Sequence, residues 1–219
     1  MNKIKAEIYP LEEPRGNLLA YASVAINDAM VVKGLKVMDS ADGLFVGMPS
    51  KKIDGEYQNT FHAVTKDAHK ELSEAVLTAY DNKLKGLRTE IIDLNPEKVS
   101  FSARAYPIEN PENNLIARAD LAMNKAFVFK DLKLIDSDRG LFVSMPASKD
   151  VLGEYHDSVY PLTKDAKAAV KDAVVAAFDK AVEKKPSIKQ QMETASKSVA
   201  AYQASRPEQE KTARAADAR

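Results

Sequence analysis

Hydrophobic residues recur along the chain in two rhythms. Leu18, Ala20, Ala22, Val24 and Ile26 alternate with Leu19, Tyr21, Ser23, Ala25 and Asn27, the period of two that sends every second side chain of a strand to one face. Asn27-Asp28 then reads as a tight turn, because Asn and Asp accept the left-handed backbone that short hairpins need, and residues 30–38 read as the returning strand. A first strand over residues 2–9, a loop carrying Pro14 and Gly16, a short buried strand at Leu44-Phe45-Val46 and a further strand within 56–64 complete the set. After Thr65 the rhythm changes. Ala68, Leu72, Ala75, Val76 and Ala79 follow helical spacing, with Thr65 as the N-cap and Asp67 in the first turn, where the helix dipole favours an anion.

The same succession then occurs again. Residues 35–50 align with 132–147 at a constant offset of 97, with ten of 16 positions identical, Asp39-Ser40 matching Asp136-Ser137 and Gly43-Leu44-Phe45-Val46 matching Gly140-Leu141-Phe142-Val143. Tyr9-Pro10 pairs with Tyr106-Pro107 at that offset. Beyond the Met-Pro loop it becomes 98, matching Gly55-Glu56-Tyr57 with Gly153-Glu154-Tyr155 and Thr65-Lys66-Asp67-Ala68 with Thr163-Lys164-Asp165-Ala166. Such a period is too long for a solenoid and suits two small globular units. The expected organisation is unit one over 1–84, a connector over 85–96, unit two over 97–183, and an Ala/Lys/Gln-rich tail over 184–219. The fold class is α+β. Each unit is an antiparallel sheet of four to five strands with one C-terminal amphipathic helix. One helix covers only one face of a sheet, so the two units are expected to pair as an intramolecular pseudo-dimer, by sheet extension or helix packing; further oligomerisation stays open. In the tail, Ile188, Met192, Ala195, Val199 and Tyr202 have heptad-like spacing that suits a helix laid on the core or on a protein partner, and beyond Arg206-Pro207 the chain is expected to fray.

The run Gly43-Leu44-Phe45-Val46-Gly47-Met48-Pro49-Ser50-Lys51-Lys52, followed by Asp54-Gly55-Glu56-Tyr57, resembles the SpoVG (stage V sporulation protein G, septation regulator) family. The likeness extends over most of each unit, with Gly140-Leu141-Phe142-Val143-Ser144-Met145-Pro146 in the second. The resemblance implies a small bacterial protein that dimerises, binds DNA or RNA, and regulates gene expression tied to septation or sporulation. It also implies that the basic pair after Met-Pro-Ser contacts nucleic acid, which here names Lys51 and Lys52. In unit two Met145-Pro146 leads into Ala147-Ser148-Lys149, so only Lys149 remains.

Charge narrows where such contact is expected. The chain balances 32 Lys+Arg against 32 Asp+Glu, but the tail holds eight basic and four acidic residues, leaving 24 against 28 in residues 1–183. A tandem core with a small acidic excess excludes the uniformly basic class of nucleic-acid binder. Any phosphate contact must therefore come from a small patch around Lys51, Lys52, Lys66, Lys70 and Lys149, helped by the tail, with weak to moderate, salt-dependent affinity. An ordinary solvated loop at Lys51-Lys52 is the competing reading, and a protein-interaction scaffold that has lost nucleic-acid contact is the rival function. Lys164, Lys167 and Lys171 form a similar helical row, read as a solvated face because Asp165 and Asp172 sit among them.

Other chemistry has little support. With no cysteine there are no disulfides, thiolate metal sites or thiol nucleophile; with no apolar N-terminal run or span-length apolar stretch, a cytoplasmic protein without membrane association is the default expectation. His62 and His69 lack converging carboxylates and His156 does not repeat their placement, so no metal or other cofactor is expected. Asp39, Asp42 and Gly43, like Asp136, Asp138 and Gly140, lack the third ligand position and closing Glu of a calcium loop and read as turns. Ser50 lacks a nucleophile elbow and becomes Ala147 in unit two, so no enzyme activity is expected.

Overall fold

The computed structural model describes residues 2–53, 55–87, 99–109, 114–149 and 155–183, and groups Met1–Ala181 into one compact unit. In the first repeat β1 (Ile4–Arg15), β2 (Leu18–Ile26), β3 (Met30–Met38), β4 (Phe45–Gly47), β5 (Ser50–Ile53), β6 (Glu56–Asn59) and β7 (Phe61–Ala63) precede α1 (Lys66–Leu84). In the second, β8 (Phe101–Pro107), β9 (Leu115–Met123), β10 (Phe127–Ile135), β11 (Phe142–Ser144), β12 (Ala147–Lys149), β13 (Tyr155–Asp157) and β14 (Val159–Pro161) precede α2 (Lys164–Glu183). The expected tail helix and most of the expected connector lie outside the described residues.

The alternating pattern does what its period dictates. Ala20, Ala22, Val24 and Ile26 of β2 are buried, as are Ala117, Ala119, Leu121 and Met123 of β9. Asn27 and Asp28 both have positive φ, as do Asn124 and Lys125, and Ala29 N–H and Ala126 N–H close the two turns onto Ile26 and Met123 at 3.0 Å. These are type I′ hairpins, whose twist matches that of the flanking strands. Asn27 does a second job: its Oδ1 accepts from Lys3 N–H at 2.8 Å, tying the start of β1 to the turn. Asn124 Oδ1 repeats the contact with Ser100 N–H at 2.8 Å.

The strand edges depart from expectation in three places. β1 continues past residue 9 through the expected Pro14 loop to Arg15, which pairs with Leu18 across the Gly16 turn. Pro10 and Pro14 lack N–H groups, and β1 tolerates them because it is an edge strand. Residues 50–53, expected as loop, form a strand. The strand expected within 56–64 divides at Thr60, whose N–H and Oγ1 donate to the Pro49 carbonyl at 2.9 and 3.2 Å.

That division directs the whole architecture. β7 leaves its own repeat and pairs antiparallel with β10, Phe61 opposite Phe129 and Ala63 opposite Phe127; β14 returns the exchange by pairing with β3, Val159 opposite Val32. Each five-stranded sheet therefore holds four strands of one repeat and the last short strand of the other. The pseudo-dimer is made by sheet extension through reciprocal exchange. At one junction Phe61, fully buried, packs its ring 5.9 Å from Phe127 and 5.4 Å from Phe129. At the other, buried Val159 pairs with buried Val32, and Pro161 with buried Met30.

α1 closes one face of its sheet, and α2 adds Ala166, Val170 and Val174 to the buried core. Thr65 Oγ1 accepts from Ala68 N–H at 3.1 Å and Thr163 Oγ1 from Ala166 N–H at 3.0 Å, satisfying orphan donors of the first turn. α1 buries Ala68, Leu72, Val76, Ala79 and Tyr80, and α2 buries Ala166, Val170 and Val174.

Two outcomes test this packing. Phe61→Ala should cost about 3–5 kcal/mol in urea unfolding of the full chain, since it empties an aromatic site shared by both repeats. Lys3 and Lys5 donate to Asp28 at 2.8 and 2.7 Å and hold its carboxyl below the ordinary value of 3.8. That contribution is complete above the unfolded carboxyl's pKa and is lost as pH falls through the lower native value. Melting temperature against pH should therefore fall less on the acid side for Asp28→Asn than for the parent.

Candidate nucleic-acid interface

Between the Met-Pro loop and the exchanged strand, each repeat extends a two-stranded ribbon, β5 with β6 and β12 with β13, and neither ribbon joins a main sheet. The base is fixed at the crossing point. Thr60 donates to Pro49 while its carbonyl accepts from Lys130 N–H of the other repeat at 2.8 Å; Ser158 donates to Pro146 at 2.9 Å while its carbonyl accepts from Lys33 N–H at 2.7 Å. The ribbons thus start where the repeats exchange strands.

Strand geometry then separates the two lysines of the basic pair, because neighbouring residues face opposite sides. Lys52 stands opposite Tyr57, and Lys51 opposite Gln58. Lys52 is exposed and joins no ion pair among the described residues, and Tyr57 is 77% exposed beside it. Lys51 faces the other repeat. Its Nζ lies 3.0 Å from Oδ2 of Asp131, whose side chain is only 7% exposed and whose Oδ1 accepts from Arg118 at 2.6 Å. A nearly buried carboxylate held by two cations is a structural contact, and it occupies the Lys51 ammonium although 41% of that side chain stays exposed.

Asp131 occupies a special backbone position. β3 and β10 each carry a bulge, at Gly34 and Asp131 respectively, between the part of the strand that pairs with the exchanged strand and the part that pairs with β4 or β11. Both residues have positive φ, 79° for Gly34 and 64° for Asp131. The bulge needs a left-handed residue, which Gly supplies freely and Asp tolerates.

Register shows which lysine the second repeat keeps. Ala147 pairs with Asp157, Ser148 with His156 and Lys149 with Tyr155, so Ser148 takes the place of Lys51 and Lys149 that of Lys52. Ser148 replaces Lys51 in the repeat whose exchange partner has Gly34 instead of Asp131. The position present in both copies is the lysine opposite the exposed tyrosine, Tyr155 being 70% exposed. In sequence both tyrosines stand within the Gly-Glu-Tyr motif, five residues after Lys52 and six after Lys149, the spacing of a cross-strand pair.

The remaining candidates fall elsewhere. Lys66 and Lys70 are exposed on α1, outside the ribbon, and Lys70 sits 3.7 Å from Glu74. His62 lies in β7 opposite Val128, where burial and the nearby Lys130 charge push its pKa below 6.5 against the opposing pull of Asp120, leaving it neutral at pH 7. Among the described residues no three His, Asp or Glu side chains gather as metal ligands. The Asp39–Gly43 and Asp136–Gly140 segments are turns closed on themselves, with Ser40 Oγ donating to the Gly43 carbonyl at 2.7 Å and Ser137 Oγ to that of Gly140 at 2.8 Å. No described helix is long and apolar enough to cross a membrane.

Comparison with known proteins meets the same two repeats. The SpoVG family model matches residues 1–82 and again 101–180. Septation protein SpoVG of Archaeoglobus fulgidus is 45% identical over 69 residues, covering 31% of this chain and 81% of that protein. Those of Bdellovibrio bacteriovorus and Staphylococcus carnosus are 31% identical over 103 residues and 40% over 100, covering 47% and 45% of this chain and 94% and 81% of their own lengths. Each relative thus spans about one repeat, and the chain belongs to the SpoVG family as a tandem duplication of its fold.

Proposed function

We propose that the chain is a nucleic-acid-binding regulator of the SpoVG type, acting through its two ribbons as a single-chain counterpart of a dimer. The reading is carried by one observation: both repeats hold a lysine in register with an exposed tyrosine on a ribbon outside the main sheets. A cation for the phosphate backbone and an exposed aromatic ring on the same ribbon are the chemistry that holds single-stranded DNA or RNA, since every base offers a face to stack and every linkage a charge. The small acidic excess of the core keeps the attraction local, which favours a modest, salt-sensitive affinity over tight general binding. A role in septation is what the relatives' names suggest, and control of gene expression is what the family resemblance implies.

The rival reading, a protein-interaction scaffold, would draw on the sheet edges. β1 and β8 end their sheets, but Pro10, Pro14 and Pro107 interrupt the donors along them, which makes them poor templates for an added strand.

Fluorescence polarisation with single-stranded oligonucleotides at several salt concentrations tests the proposal. Lys52→Ala with Lys149→Ala should weaken binding and reduce the slope of log affinity against log salt by about 1.4, at roughly 0.7 per phosphate contact on a single strand. Tyr57→Ala with Tyr155→Ala should cost about 1–3 kcal/mol per stacked base without changing that slope. Lys51→Ala should behave differently. It should lower unfolding stability by about 1 kcal/mol through the loss of one partner of Asp131, and leave the salt slope unchanged. No binding at low salt would remove the proposal and favour the scaffold, and a slope that follows Lys51 instead of Lys52 would overturn the assignment of the contact to the lysines opposite the tyrosines.

A further inference from the structure

The lysine row of α2 is exposed and also borders a groove. Lys164, Lys167 and Lys171 line a groove of about 530 Å3 in the second repeat, within the roughly 300–1,000 Å3 range of small-molecule sites. Its apolar lining comes from Phe142 and Val143 of β11, Met145 and Val170. Its far wall is β14, the strand that repeat two has placed on the sheet of repeat one, contributing Tyr160 and Pro161. Asp157 is the single carboxylate among the lining residues.

Three features give this groove a preference. The lysines are spaced three and four apart and so share one helix face, where like charges repel. All three are exposed, and none is ion-paired among the described residues. Phe142 is 45% exposed at the same groove, leaving an aromatic surface beside the cations. At the aligned positions of repeat one the row reads Lys66, His69 and Ser73, so the concentration of charge is particular to repeat two. A bound anion would relieve the repulsion along the row, and a flat ring would cover the exposed phenyl.

We propose that this groove binds a nucleoside phosphate, with the base against Phe142, its exocyclic amine facing the acceptor Asp157, and the phosphates at Lys164, Lys167 and Lys171. The site is separate from the ribbons and goes beyond the nucleic-acid reading. It also links a small ligand to the exchange itself, because β14 forms one wall while its backbone completes the sheet of the other repeat. Occupancy would therefore brace the junction between repeats.

Isothermal titration of the full chain with ADP, with adenosine and inorganic pyrophosphate as separate controls, tests the site. ADP should bind, and each control should bind at least about tenfold more weakly, since each keeps only one of the two recognition elements. Phe142→Ala, and Lys167→Ala with Lys171→Ala, should each weaken ADP by about tenfold or more. These side chains are exposed, so circular dichroism melts should show the variants folded. Lys52→Ala with Lys149→Ala should bind ADP like the parent while losing oligonucleotide, which separates failure of this site from failure of the ribbon proposal. No binding at millimolar ADP, pyrophosphate binding as tightly as ADP, or an affinity that follows Lys52 instead of the α2 row would overturn the inference.

Discussion

Neither repeat can complete its sheet alone. β7 belongs to repeat one by chain order and to the β10 edge by hydrogen bonding, and β14 makes the reverse trade with β3. Those short strands also carry buried apolar side chains, Phe61 and Val159, into the partner's core. Separating the repeats would therefore cost hydrophobic burial and ladder hydrogen bonds together, a cooperative penalty that a simple face-to-face contact does not impose. The ribbons follow from the same constraint. The chain must travel from the Met-Pro loop to the edge of the other repeat, and the excursion folds back on itself as β5–β6 and β12–β13.

Duplication within one polypeptide lets the two junctions differ. One has Phe61 against Phe127 and Phe129, with Lys51, Asp131 and Arg118 above it. The equivalent places at the other are Val159, Met30 and Val32, with Ser148, Gly34 and Tyr21, and Lys33 there lies 5.1 Å from the Tyr160 ring. Charge makes this difference selective. Two copies of repeat one would bring Lys51 to a glycine, and two copies of repeat two would bring a nearly buried Asp131 to a serine, giving up a cation where desolvation is costly. Repeat one with repeat two satisfies both. The ion cluster therefore fits the first ribbon to the second repeat's bulge and not to its own.

Much of the fold was legible from residue pattern. The alternation in 18–26, the Asn27-Asp28 turn, the helix started by Thr65 and the duplication all rest on local rules that the tertiary structure reinforces. The exchange was not legible. Residues 56–64 look like one continuous strand, and the split at Thr60 depends on a carbonyl, that of Pro49, supplied from the other side of the ribbon. The site was half visible for the same reason. Lys51 and Lys52 are equivalent in composition and adjacent in sequence, and only their opposite faces on β5 decide that one meets Asp131 and the other meets solvent. A clue did lie in the repeat alignment: Asp131 stands where the first copy has Gly34, a substitution that puts a carboxylate at a left-handed position. Lys164, Lys167 and Lys171 are exposed, as their row with Asp165 and Asp172 suggests, while the groove they share with Phe142 depends on tertiary packing.

The central claim is that strand exchange makes the two repeats one cooperative unit. Native-state amide hydrogen exchange measures this directly by giving the opening free energy of each core amide. The account predicts that the most protected amides of β2–β3 and of β9–β10 open with the same free energy, and that Phe61→Ala lowers both by the same amount. Two distinct free energies, with Phe61→Ala affecting only one repeat, would contradict it.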